Sequence, residues 1–356
     1  MPRPDRAHLL RWGATLALGG AGGWVATRIG APLPWLLGAL AATGAAAALK
    51  LRVAGGPVAF PNGPRLVFIP VIGVLIGGAF TPDTLAQMPL WWPALLSVLL
   101  FVPAAHAANY AVFRRLGGLD RPTSFYAGMP GGLIESIELG SARGADPALV
   151  TVLQFARIAL VVTALPLIFS VAEGQAVGSA GGARIEGHGP LTLREAAFLA
   201  LIGAAGFFGA RAVRLPAGQI LGPVILSAAA HGAGLTDAAP PQWLVSLAQV
   251  VIGTGLGQRF SGVDGRTLRR CFALSGASVA AMLAIGAAIA LAIDALGVAS
   301  FAVMLLALAP GGVVEMGLIA LSLSASPIFV TAHHLVRIVA TVVVALWAWR
   351  WLTRHG

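Results

Sequence analysis

Two carboxylates stand where carboxylates are expensive. Glu135 follows the triplet Pro130-Gly131-Gly132 in MPGGLIESI (129–137), and Glu315 follows Pro310-Gly311-Gly312 in APGGVVEMG (309–317). Both stretches run through apolar sequence. Inside a bilayer an unpaired, charged carboxylate is costly, so a glutamate kept there can carry a proton or help hold a cation. The triplets supply the complementary chemistry. Pro-Gly-Gly breaks a helix, and the half-helix that starts after it aims unpaired N–H groups and the positive end of its dipole at whatever sits there. Two such starts suit a carboxylate or another small anion. The candidate substrate-binding residues are therefore Pro130, Gly131, Gly132 and Glu135 with Pro310, Gly311, Gly312 and Glu315. Glu138 ranks lower, because Leu318 stands at its counterpart.

Downstream, Arg157 and Arg337 occupy matching positions in the next apolar segment, with Gln154 and His334 one turn before them. The arginines could neutralise the glutamates as purely structural ion pairs. Alternatively, arginine, glutamate, Gln154 and His334 form a coupling or charge-pair set. His334 can exchange a proton near neutral pH or simply donate a hydrogen bond. Asp146-Pro147 and Ser326-Pro327 read as helix starts, since Asp and Ser cap the first turn and Pro suits it.

The elements that must position these residues are membrane helices. The chain has 356 residues, 58% hydrophobic and only 10% charged, with mean hydropathy +0.86. Soluble domains average about 25% charged residues, so this chain cannot cover a water-facing surface. The net charge is +10, but the arginines sit in short clusters between oily stretches, as cytoplasmic loops do. No basic helix with base-reading side chains appears, and no direct nucleic-acid partner is expected. Cys271 stands alone, which excludes an internal disulfide and CxxC redox chemistry. The histidines show neither HxH nor HExxH spacing, so no metal and no cofactor is implied, and no enzymatic activity is expected.

A helical crossing takes about 20 apolar residues. Candidate segments are 8–28, 33–51, 66–80, 90–112, 123–140 and 149–171, then 195–213, 216–234, 243–259, 270–297, 300–323 and 328–352. The first segment has a basic start but no convincing cleavage site, so it reads as an uncleaved helix. A polar, Gly-rich linker, 173–194, separates a first membrane repeat (1–172) from a second (195–356). The halves match in register. Gly73/Gly253, Gly77/Gly257, Phe80/Phe260, Pro147/Pro327 and Arg157/Arg337 all pair at a spacing of 180, and APLPWLLG (31–38) matches LPAGQILG (215–222) at 184. Positive charge decides orientation. If the fifth element of each half enters and leaves on one face, the second half is inverted. Among loop residues only Arg28, Arg184 and Arg194 then fall outside, with Arg157 and Arg337 within the membrane. Twelve full crossings would put the Arg259, Arg266, Arg269 and Arg270 cluster on the wrong side.

The glycine blocks around Gly73, Gly77 and Gly78 and around Gly253, Gly255 and Gly257 read as close helix packing. Trp91, Trp92, Trp347, Trp349 and Trp351 sit near segment ends, as interfacial belts do.

The duplicated block of Pro-Gly-Gly, two apolar residues and Glu, then Asp/Ser-Pro, then Arg resembles the membrane AbrB family, bacterial multi-pass proteins with a tandem "AbrB duplication" domain. The resemblance covers both copies and implies fold and location more than activity. Some members of that family carry the label ammonia monooxygenase and others a label of gene-expression regulator. The name is shared with a soluble DNA-binding regulator to which nothing here is similar.

The expected fold is an all-α integral membrane protein with about ten transmembrane helices in two homologous inverted repeats, each holding a broken or re-entrant Pro-Gly-Gly element. The expected function is secondary transport of a small anionic or zwitterionic metabolite across a bacterial inner membrane, with both termini cytoplasmic. A membrane-embedded regulator is the alternative, and an ammonia monooxygenase lacks metal ligands. The lipid bilayer and a small-molecule substrate are the partners, and association into homo-oligomers is compatible with this reading.

Overall fold

The structure, a computed structural model, describes residues 6–80, 88–174, 191–215, 217–323 and 325–355. Most of the linker expected over 173–194 lies outside the described residues. Apart from a two-residue hairpin, Arg52–Val53 (β1) paired with Gly56–Pro57 (β2), the regular structure is helical. The first seven helices are α1 (Arg6–Arg28), α2 (Pro34–Ala48), α3 (Asn62–Gly78), α4 (Trp92–Ala111), α5 (Arg121–Ala127), α6 (Leu133–Ser141) and α7 (Pro147–Glu173). The rest are α8 (Leu193–Ala212), α9 (Gly218–Gly232), α10 (Gln242–Gly257), α11 (Gly265–Ala295), α12 (Phe301–Leu308), α13 (Val313–Ser322) and α14 (Pro327–His355).

Among the described residues, five helices are long and apolar enough to cross a membrane: α4 with its flanking turns, α7, α8, α11 and α14. Helices α2, α3 and α13 are apolar but shorter. The chain is a multi-pass membrane protein. Local chemistry sets the helix starts. Asp146 Oδ1 accepts from the backbone N–H of Ala148 (2.9 Å) and Leu149 (3.0 Å), and Pro147 follows it, so α7 begins as the sequence anticipates. Asp120 caps α5 through the Thr123 N–H at 2.9 Å. Thr192 and Glu195 form a reciprocal capping box at α8.

The chain divides into two compact units, and each draws helices from both halves of the sequence. The first unit gathers α1–α3, α8–α10, the end of α7 and residues 317–328. Glycine permits its close packing. A Cβ on Gly73 would sit 2.9 Å from the Ile220 carbonyl oxygen, and one on Gly77 2.5 Å from that of Val224, so α3 lies directly on α9. Gly253 and Gly257 press in the same way on the Leu36 and Leu40 carbonyls of α2. Gly22 meets Gly38 backbone to backbone, as Gly206 meets Gly222. Helices α2 and α9 both begin from a left-handed residue that is not glycine, Leu33 (φ 41°) and Ala217 (φ 50°). Such backbone is strained for an L residue.

The second unit holds α4–α6, most of α7, α11, α12, the start of α13 and α14 from Phe329. A buried polar seam ties α4 to α11: Ser278 donates to Asn109 Oδ1 at 2.7 Å, and Asn109 Nδ2 donates to the Gly128 carbonyl at 2.9 Å. Ser275 donates to the Leu153 carbonyl at 3.1 Å. The tryptophan expectation needs correction here. Trp92, Trp347 and Trp351 are exposed, as belt residues should be, but Trp91 is buried edge-on against Phe329 and Trp349 packs on Phe125 and Tyr126. These two fill space between elements. Cys271 is buried in the same unit.

Candidate functional site

Both Pro-Gly-Gly triplets interrupt their helices. The chain leaves α5 at Ala127 and re-enters helix at Leu133; it leaves α12 at Leu308 and re-enters at Val313. Each break exposes the last carbonyls of one half-helix and the first N–H groups of the next. In a membrane those groups are tolerated only where protein or a cavity satisfies them. Both breaks, both glutamates and both arginines belong to the second unit.

The arginines serve the carbonyl ends. Arg157 Nη1 donates to the Met129 carbonyl. Arg337 Nη1 donates to the Ala309 carbonyl, the counterpart of Met129, and to that of Leu308 at 3.3 Å. Its Nη2 donates to the Gly311 carbonyl at 3.0 Å and lies 3.2 Å from His334 Nδ1. Each guanidinium thus sits at the negative end of a half-helix dipole. Both are buried. The residues one turn earlier act alike. Gln154 Nε2 reaches the carbonyls of Ala127 (3.1 Å), Met129 (3.3 Å) and Tyr126 (3.4 Å), and His334 Nε2 lies 3.3 Å from the Leu306 carbonyl. Gln154 and His334 are fully buried.

The glutamates sit at the N–H ends. A Cβ on Gly132 would lie 3.0 Å from Glu135 Oε2, and a Cβ on Gly312 would collide with Glu315 Oε2. Each carboxylate therefore curls back over the glycine that opens its own half-helix, where the dipole favours negative charge. Glu315 is 2% exposed, Glu135 is half-buried and Glu138 is exposed.

The breaks meet at one side chain. While the Nη atoms of Arg337 hold the second break, its Nε lies 3.6 Å from where a Gly131 Cβ would be, at the first. Thr341, one turn further along α14, places Oγ1 3.3 Å from the same point. Arg337 Nε, Arg157 Nε, Thr341 Oγ1 and Gln154 Oε1 are buried atoms without a hydrogen-bond partner among the described residues. Pro130 and Pro310 frame the turns but present no polar side chain. Sequence reasoning overlooked Thr341, Asn109 and Ser278; polar residues inside apolar segments are the signal that could have found them.

The sequence profile described as "Transition state regulatory protein AbrB" matches residues 44–353. The chain belongs to the membrane AbrB family. Among its AbrB relatives, "Putative regulator AbrB" of Escherichia coli (strain K12) is 26% identical over 281 residues, covering 77% of this chain and 79% of that one. "Uncharacterized protein YhjN" of Bacillus subtilis (strain 168) is 25% identical over 350 residues, covering 92% and 89%. The AbrB match spans both breaks and both arginines.

Proposed function

We propose that this AbrB-family chain is a secondary transporter of a small anionic or zwitterionic metabolite, seated in a bacterial inner membrane with both termini cytoplasmic. The observation that carries the reading is the meeting of two broken helices on either side of Arg337, amid buried polar atoms that the protein leaves uncommitted. Discontinuous helices at corresponding places in two repeats mark substrate sites in transporters.

Inverted repeats with about ten crossings belong to the same proposal. Their support is the charge parity of the loops and a set of contacts that recur at matched positions. Gly73 rests on Ile220 of α9 while Gly253 rests on Leu36 of α2, and Arg157 holds Met129 while Arg337 holds Ala309. Each glycine helix packs on the other half's partner, as a twofold relation requires. Alternating access then consists of exposing the break-carrying unit to one side of the membrane and then the other. Glu135 or Glu315 couples the cycle to the proton gradient.

Two measurements test this. In proteoliposomes with an imposed pH gradient, labelled acetate, succinate and alanine should reveal saturable uptake of at least one compound. None taken up by intact, folded protein would overturn the transport reading. If uptake stays pH-dependent when Glu135 and Glu315 are both glutamine, proton coupling through them is wrong. Orientation is read separately. With Cys271→Ser as background, single cysteines at Ser141, Gly181 and Gly262 should react with an impermeant reagent in intact cells only at 181. Reaction at 141 and 262 instead would mean parallel halves.

A regulatory role is the second reading, favoured by the names that the family and the Escherichia coli relative carry. It fits the same site if the chain alters a metabolite pool and so acts on gene expression indirectly.

A further inference from the structure

Within the first unit, a groove of about 680 Å³ lies along α8, beside α3 and the start of α10. One face of α8 lines it through Ala196, Ala200, Gly203, Ala204, Phe207 and Arg211. At 1.5 Å per residue that face is about 22 Å long, against roughly 30 Å for a whole hydrocarbon layer. Leu66, Pro70 and Val74 of α3 and Trp243 of α10 complete the walls. Val74 and Leu199 belong to the buried core beneath the groove, whereas Val67, Phe208 and Trp243 at its rim are exposed.

The groove exists because α8 packs loosely. A Cβ on Gly203 would meet side chains only, Val74 at 3.4 Å and Pro70 at 3.8 Å. The matching glycine 184 positions earlier, Gly19, is pressed against α10, where a Cβ would collide with Thr254 Oγ1. Thr254 itself matches Val74 at the spacing of 180. The contact that is closed on α1 stands open on α8.

Chemistry names the occupant. An apolar void stays dry and takes apolar ligands, and this volume lies in the range of ligand pockets. Arg211 is the one charged residue among those that line the groove, and it stands in the last turn of a helix long enough to cross the membrane, where headgroups lie. It is exposed, and its guanidinium has no hydrogen-bond or ion-pair partner among the described residues. An apolar helix of a second copy would fill the groove but leave that charge unmatched. A long apolar chain with an anionic group at one end answers both features.

We propose that the groove holds one anionic phospholipid. An acyl chain lies along α8, and the phosphate sits on the Arg211 guanidinium, whose planar fork matches phosphate geometry.

Native mass spectrometry of the purified full-length chain, titrated with phosphatidylglycerol, phosphatidylcholine and palmitate, tests this. Phosphatidylglycerol should bind about fivefold more tightly than phosphatidylcholine, the size expected for one basic residue at an anionic headgroup. Arg211→Gln should erase that preference and Arg211→Lys should keep it. Arg214→Gln, one turn on but outside the groove lining, should leave it unchanged. Ala200→Trp fills the groove and should weaken both phospholipids. Both Arg211 and Ala200 are exposed, and a thermal midpoint near wild type shows that each variant is folded. Equal binding of the two phospholipids, or a preference that survives Arg211→Gln, would overturn the proposal. Palmitate binding as tightly as phosphatidylglycerol would replace the phospholipid by a fatty acid. A lipid-free dimer that Ala200→Trp dissolves would seat a second copy in the groove instead.

Discussion

The two helix breaks share a plan but differ in how tightly they are closed. At the second, Arg337 spends two nitrogens on three carbonyls and touches His334, Glu315 is buried, and the thioether of Met316 lies against Gly311. At the first, Arg157 holds one carbonyl and Gln154 shares the work, Glu135 is half-buried, and Ser136 stands in the place of Met316. One break is a sealed joint and the other is a joint left ajar. The Pro-Gly-Gly motif thus occurs in two settings: one closes over its glutamate and keeps the buried carbonyls satisfied, and the other leaves its glutamate half-buried.

The largest expected difference lies between the arginines. Arg337→Met takes the side-chain donor from the carbonyls of Leu308 and Gly311, while that of Ala309 keeps the Gly311 backbone N–H at 2.9 Å. An orphaned buried acceptor costs about 1–3 kcal/mol, so this variant should lose several kcal/mol and yield little folded protein. Arg157→Met should lose only about 1–2 kcal/mol, because Gln154 still reaches Met129. Thermal unfolding of both in the same detergent gives the order, and equal losses would erase the distinction. Glycine substitutions come next. Gly132 has φ 68°, so Gly132→Ala should cost about 1–2 kcal/mol through the backbone alone. Gly312 lies outside that region; there alanine meets the Glu315 carboxylate instead. Gly312→Ala with Glu315→Gln should then depart further from additivity in unfolding free energy than Gly132→Ala with Glu135→Gln, whose contact is looser.

A smaller effect concerns access. A hydrophobic carbodiimide should modify Glu135 before Glu315, read by peptide mass spectrometry, since one carboxylate is half-buried and the other 2% exposed. Equal rates would mean that the two breaks are equally open.

Much of this was legible in sequence because it is local. The Pro-Gly-Gly triplets predicted interruptions, and the helices stop at Ala127 and Leu308. Asp146-Pro147 predicted a helix start, and the cap is there. The Gly73 and Gly253 blocks predicted close packing, and they touch backbone. What stayed hidden depends on which element packs on which. Spacing placed Arg157 one segment beyond Glu135 and left an ion pair open, but side-chain type cannot reveal that a guanidinium will turn to the carbonyl end of a half-helix. Only tertiary contact puts Gly131 against α14. Hydropathy finds α4 and α11 but not the Asn109–Ser278 bond joining them. Leu33 and Ala217 adopt left-handed backbone against their propensity, which no local rule predicts.

The smallest expected effect is the most informative about why the first break stays open. Ser136 Oγ donates to the Gly132 carbonyl at 2.7 Å, and the Ser136 backbone N–H donates to that same oxygen at 2.8 Å. Because the acceptor keeps its backbone partner, Ser136→Ala should cost no more than about 0.5–1 kcal/mol. Ser136→Met is different in kind. It imports the residue that lies over Gly311 in the second break, and should cover Gly131 in the first. Ser136 is fully buried and Thr341 already faces Gly131, so the larger side chain should cost about 1–3 kcal/mol, and in the folded fraction carbodiimide labelling of Glu135 should fall toward the rate of Glu315. Should Glu135 stay as reactive in that variant as in wild type, the difference between the breaks would have to arise from the arginines and not from the residue that follows each glutamate.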